Sequence, residues 1–380
     1  MSFRDSLNHY LRPFPVLLAV VLIVGFTSVL QPKAGQQQQF RPLVNDLHRP
    51  ATATQCASCH REICEHFELT GHAKSLWRGD DKDIIAKFKD LNFRWKPDGP
   101  LFRYVEESDG LWLTQESSSL RLHVDWVMGS GGHSQGPVSL FTNPAGETEM
   151  WEHLLAWYPN VGLAPALGFD SLHPPTTGMG ALANRQDHPS AKDCLGCHST
   201  YVPLDPAGRV KSDEVIGTVG CVRCHPDGSG HVARNGALDA FRERWSQLSA
   251  FEVIDRCGEC HRRASETDPD DLKPENLHIV RLAPVGLSQS RCFKSQEATE
   301  GNSPAIRLDC LTCHDIHRPI PKDTTKVQQV CHSCHYNEQS AGHPCPSQPQ
   351  TSDCVSCHMP LVKTDTNFRF TDHWIRIHKK

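Results

Sequence analysis

Seven times the chain places two cysteines three positions apart with a histidine directly behind the second. The units are Cys56, Cys59 and His60; Cys194, Cys197 and His198; Cys221, Cys224 and His225; Cys257, Cys260 and His261; Cys310, Cys313 and His314; Cys331, Cys334 and His335; and Cys354, Cys357 and His358. They take 14 of the 17 cysteines. Two thiols at this spacing suit thioether bonds to the two vinyl groups of a porphyrin, and the next residue brings an imidazole under the iron. Each unit therefore reads as a site of covalent c-type haem attachment, seven haem c in all. Zinc ribbons, thioredoxin-like redox pairs and disulfide frameworks also use Cys-x-x-Cys, but none requires histidine after every second cysteine. Histidine makes up 23 of 380 residues, about one in seventeen, so its presence behind all seven pairs is not an accident of composition.

Seven irons with a proximal histidine call for sixth ligands. Methionine is scarce: only Met1, Met128, Met150, Met179 and Met359 occur, and Met359 directly follows a proximal histidine. Sixteen other histidines are present, and His72, His188, His231, His317, His343 and His373 lie near attachment units. Mainly bis-histidine ligation is expected, and without the potential-raising Met/His pair it implies low reduction potentials. The alternative for each of these histidines is a surface or hydrogen-bonded imidazole. His332 lies inside its own Cys-x-x-Cys loop and is expected to point away, and His9, His48 and His66 are weaker candidates. No catalytic residue is assigned.

The elements that hold these groups are short. Six units fall between Cys194 and His358, about 27 residues each, too little chain for a conventional apolar core. Only 38% of residues are hydrophobic, and 27 prolines and 26 glycines interrupt the chain. The expected fold is mainly α with irregular loops, packed around the covalent haems. Helices are expected over 61–77 and over 237–251, where Leu238, Phe241, Trp245, Leu248 and Phe251 recur at helical spacing. The stretch LFRYVEESDGLWLTQ (101–115) alternates around Asp109-Gly110 like a hairpin, and 119–127 reads as a third strand. A small β-containing insert is therefore expected over about 92–160. Trp95, Trp112, Trp126, Trp151 and Trp157 would fill its core or meet porphyrin faces.

At the amino end, Arg4 and Arg12 precede an apolar run over 14–30, and a Gln-rich polar stretch follows. Residues 1–31 read as a signal peptide or a single membrane anchor, 32–50 as a linker and 51–380 as the heptahaem domain. Either leader places the rest outside the cytoplasm, in the periplasm, with attachment to the inner membrane if the leader is an anchor.

HREICEHFELTGHAKSL, VMGSGGHSQGPVSL, CVRCHPDGSGHVA, LAPVGLSQSRCF, CLTCHDIHRPI and the terminal CVSCHMP…FTDHWIRIH together resemble bacterial multihaem cytochromes c related to the tetrahaem cytochrome partner of hydroxylamine oxidoreductase. The resemblance covers most of 55–378. It implies a mostly helical haem-packed fold, periplasmic electron transfer, and distal ligation by His72, His231, His317, His343 and His373. By the same analogy His133 is a distal ligand or a haem-pocket residue, with His278 and His188 less secure. Cys292 and Cys345 accompany attachment units in similar proteins, and a disulfide between them is the accompanying expectation. Cys64 departs from the aromatic residue usual at its position. This chain has more units than the tetrahaem relatives, so the proximal–distal pairing does not carry over one to one.

Two function classes follow. An electron carrier would use closely spaced units to keep porphyrins within tunnelling reach, its partners being redox proteins or a membrane quinol-linked complex. An oxidoreductase acting on a small nitrogen or sulfur oxyanion would need one iron with an open sixth position. A scaffold for respiratory subunits would leave the haems idle. The formal charge of −5 excludes a strong nucleic-acid footprint. Tyr336, behind the sixth unit, has no accompanying feature that would make it a haem cross-link. The sequence does not specify an oligomeric state.

Overall fold

The hairpin anticipated around Asp109-Gly110 forms as Phe102–Glu107 and Gly110–Gln115, with Glu107 opposite Gly110. Gly110 has φ +127°, a conformation that side chains with a Cβ rarely adopt. The computed structural model describes residues 49–116, 118–169, 178–241, 244–297, 307–335 and 353–378, all within the unit Phe40–Lys380. The apolar run over 14–30 lies outside the described residues. Among the described residues no helix is long and apolar enough to cross a membrane.

The β structure is larger than the expected 92–160, running from Leu76 to Gln186. One four-stranded sheet has the order Asn92–Phe93, Phe102–Glu107, Gly110–Gln115, Arg121–His123. A five-stranded antiparallel sheet orders Leu76–Arg78, Trp126–Met128, Gly136–Thr142, Thr148–His153 and Ala183–Gln186. The stretch anticipated as a third strand divides between the two sheets: Leu122 pairs with Leu113, and Val127 pairs with Pro137. Ile84, Phe88, Phe102, Tyr104, Leu111, Leu113, Leu122 and Val127 form an apolar core beneath these strands. Trp126 is buried in a second cluster that also includes Leu195 of the second attachment unit, which ties the β body to the haem-unit region.

Inside the β body, His153 is fully enclosed. Its Nδ1 lies 3.0 Å from the Tyr104 hydroxyl and its Nε2 2.9 Å from Ser139 Oγ. Both ring nitrogens are satisfied, as burial of a polar ring requires. Burial lowers the pKa of His153 to about 3.

The rest of the described residues form short helices and turns, with one short hairpin in which Leu361–Lys363 pairs with Arg369–Thr371. The helix expected over 237–251 is replaced by two 3₁₀ turns, Leu238–Ala240 and Trp245–Gln247, before a helix at Ala250–His261. Two local forces account for the difference. The Trp245 indole donates to the Cys224 carbonyl while Phe241 packs on His225 and His231, so these side chains wrap the third unit rather than lining one helical face. Ser249 and Glu252 then form a capping box that starts a fresh helix at Ala250. The helix expected over 61–77 stops at Phe67, with a strand beginning at Leu76.

Candidate haem-binding site

Each attachment unit is built on helical geometry, which carries residues i and i+3 to the same face and so aims both thiols one way. The caps that start these helices are encoded locally. Thr52 opens Ala53–Ala57, Asp187 opens His188–His198, Asp309 opens Cys310–Cys313 and Asp353 opens Cys354–His358, each by accepting from a backbone N–H of the first turn. The third unit is a single turn, Cys221–Cys224, and the sixth ends the helix Thr325–His335.

Thiols of different units lie close enough to act on one another's ionisation: Cys56 and Cys221, Cys197 and Cys260, Cys257 and Cys310, and Cys331 and Cys354. Cys224 also lies within electrostatic reach of Cys257, and Cys331 of Cys313. In units, the succession runs first, third, fourth, fifth, sixth, seventh, with the second joining at the fourth. Burial raises the Cys56 and Cys194 thiols to about 11 and the Cys224 and Cys331 thiols to about 12.

The histidines meet across long sequence separations. His60 faces His231 with ring centres 6.3 Å apart, and His72 faces His261 at 6.1 Å. His225 faces His317 at 6.3 Å with planes 8° apart, and His314 faces His373 at 6.3 Å. An iron about 2 Å from a nitrogen of each imidazole would hold the ring centres about 6.3 Å apart. These spacings would fit one iron per pair, and the thiols of the same units would supply its covalent tether.

The protonation chemistry fits as well, because iron binds neutral imidazole. Burial lowers the pKa of His72, His198, His225, His314 and His373. His261 as a whole residue is exposed. Even so, desolvation by the chain around it, followed by the neighbouring imidazoles of His72, His198, His373 and His314, lowers it to about 4.

Backbone carbonyls fix the tautomer in several places. Nδ1 lies 3.0 Å from Ser75 O in His198, 3.0 Å from Ala237 O in His231, 3.0 Å from Arg376 O in His358 and 2.9 Å from Thr371 O in His373. A proton held on Nδ1 leaves Nε2 with the lone pair a metal needs.

A C-terminal strap serves two units. Asp372 is buried and pairs with Arg376 at 2.7 Å, and Arg376 also donates to Pro274 O. The strap carries His373, and its Arg376 carbonyl faces His358. Gly286 lets the strap approach: a Cβ there would stand 2.9 Å from the Trp374 nitrogen and 3.1 Å from the His373 carbonyl carbon.

Of the candidate second ligands, His72, His231, His317 and His373 thus stand opposite the imidazole of an attachment unit. His133 instead packs on Phe370 at 5.0 Å, and His188 turns Nδ1 towards Thr148 O. His343 and Tyr336 lie outside the described residues, as does Cys345, and with it the expected disulfide to Cys292. Among the described residues, no imidazole faces His198, His335 or His358 at the spacing of the four pairs. The carbonyl partners carry no sequence signal, because any residue supplies a carbonyl.

The family model for cytochrome c554 and c-prime matches residues 169–226, a stretch that includes the second and third units. The dissimilatory sulfite reductase MccA of Wolinella succinogenes is 24% identical over 213 residues, 48% of this chain. The match spans only 28% of that protein's length. The crystal structure of the outer cell wall cytochrome OcwA superposes with a TM-score of 0.51 at 12% identity, covering 87% of this chain and 79% of that one. The chain is thus similar by sequence over one short stretch to cytochrome c554 and c-prime, and by fold over most of its length to a cytochrome.

Proposed function

We propose that the protein is an extracytoplasmic multihaem c-type cytochrome that carries electrons along seven covalently held, mostly bis-histidine haems. A tie to the tetrahaem partner of hydroxylamine oxidoreductase is part of this reading. When bound, haem supplies a one-electron ferric/ferrous couple at each unit. The chain's own contribution is positional. Paired thiols would fix each porphyrin edge, facing imidazoles would favour a six-coordinate iron of low potential, and the proximity of thiols from different units would bring neighbouring edges together. Redox proteins or a membrane quinol-linked complex are the proposed partners, with the segment over 14–30 serving as leader or anchor.

The observation that carries this reading is the set of four imidazole pairs at 6.1–6.3 Å. Coulometric reduction of the purified protein should take up seven electrons per chain, most of them at low potential. Uptake of one or two electrons would refute it.

A second reading, an oxidoreductase of small nitrogen or sulfur oxyanions, is favoured by one feature. His198 is anchored through Ser75 O, yet no imidazole among the described residues faces it at ligand spacing. The MccA similarity gives sulfite as one candidate substrate. A high-spin ferric EPR signal perturbed by sulfite or nitrite would support this reading; a wholly low-spin, unresponsive spectrum would exclude it.

A further inference from the structure

Arg223 is a cation in an enclosed place. It lies inside the third attachment loop, within the single turn Cys221–Cys224, and only 6% of its surface is exposed. Its Nη2 stands 3.9 Å from Sγ of Cys260 in the fourth unit. Its charge also acts on Cys197 of the second unit and on Cys224 of its own. Cys197 and Cys260 act on one another's ionisation, and Cys197 Sγ lies 3.9 Å from the Glu259 carbonyl in the fourth unit. One guanidinium therefore sits where three of the seven units converge, at the point where the second joins the others.

Nothing in the motif marks this residue, since the two positions between the cysteines of such a unit are chemically unrestricted. Its burial makes it consequential. Arginine stays protonated at any working pH, and a charge held away from solvent is weakly screened by salt. Reducing a neighbouring iron removes one positive charge, and a fixed cation nearby favours that change. We propose that Arg223 is a potential-setting residue, whose charge raises the reduction potentials of the haems held by the second, third and fourth units. The proposal rests on the haem reading given above. It adds an energetic role: the convergence point is biased to hold electrons relative to the outer units.

The test uses the full holoprotein with Arg223→Gln, Arg223→Met and Arg223→Lys, and with Arg61→Gln as an exposed control beside the first unit. Intact mass counts haems, low-temperature EPR checks the low-spin sites, and spectroelectrochemical titration reads the potentials. The two neutral variants should keep the wild-type number of haems and low-spin signals. At least one haem should lose about tenfold in its reduction equilibrium constant, a fall of about 59 mV for a one-electron couple. Arg223→Lys should restore most of the loss, and Arg61→Gln should titrate as wild type. Wild-type potentials in both neutral variants would overturn the proposal, as would Arg223→Lys falling with them, since shape rather than charge would then matter. A wild-type mass without haem would instead overturn the underlying reading, and the role of Arg223 with it.

Discussion

Replacing His72 by alanine should remove one spectroscopically distinct low-spin haem and leave the others in place. The distinction comes from ring orientation. Two nearly parallel imidazoles split the iron orbitals that hold the unpaired ferric electron and give a rhombic low-spin spectrum, whereas nearly perpendicular rings leave those orbitals almost degenerate and give one broad, highly anisotropic signal. The planes of His225/His317 are 8° apart, those of His60/His231 29° and those of His314/His373 33°, whereas those of His72/His261 are 70° apart. His72 is thus the distal member of the only one of the four pairs with strongly crossed rings. With seven haems, its loss should convert about one seventh of the low-spin intensity into a high-spin ferric signal. The wild-type-minus-variant EPR spectrum should consist of the broad anisotropic component, and intact mass should be unchanged apart from the substitution. A difference spectrum of purely rhombic character, or no high-spin gain, would refute the pairing of His72 with His261 and the geometric reasoning behind it.

Gly286→Ala should disturb the fifth unit specifically. The new Cβ meets backbone atoms of His373 and Trp374 that have little freedom to move, so a loss of about 1–3 kcal/mol is expected from overpacking, together with an altered low-spin signal from the His314/His373 pair. Unchanged thermal unfolding and EPR would contradict this. In the β body, His153 stays neutral when folded down to about pH 3 because of its burial and the nearby His123 charge, whereas an unfolded histidine protonates near pH 6.5. The unfolded state therefore binds more protons between these values, and stability should fall as pH drops from about 6.5 towards 3, by roughly 5 kcal/mol at most, with no contribution above that window. Hydrogen exchange of sheet amides should show this slope in the wild type and a shallower one in His153→Gln; equal slopes would sink the assignment.

The attachment units were legible because their chemistry is local: one turn of helix sets the spacing of both thiols, and the imidazole follows. The hairpin was legible for the same reason, with strand alternation and Asp109-Gly110 giving both its strands and its turn. Partners of the imidazoles were not. His231 is far from His60 in sequence, and nothing short of the folded chain says that they meet; proximity to a unit selected useful candidates without assigning them. The extent of the β body was missed because its outer strands, Leu76–Arg78 and Ala183–Gln186, are only three and four residues long and show too little alternation to read. The helical spacing over 237–251 misled because its aromatic residues serve the third unit from an irregular turn. Arg223 shows the same limit at one position, since its burial depends on units two and four folding against unit three.

The most direct test of the account is the intact mass of the mature protein, read together with its pyridine haemochrome spectrum. The account predicts a mass increment of seven covalently bound haems and the spectrum of haem attached through two thioethers. A polypeptide carrying no tetrapyrrole, or only one or two, would contradict it.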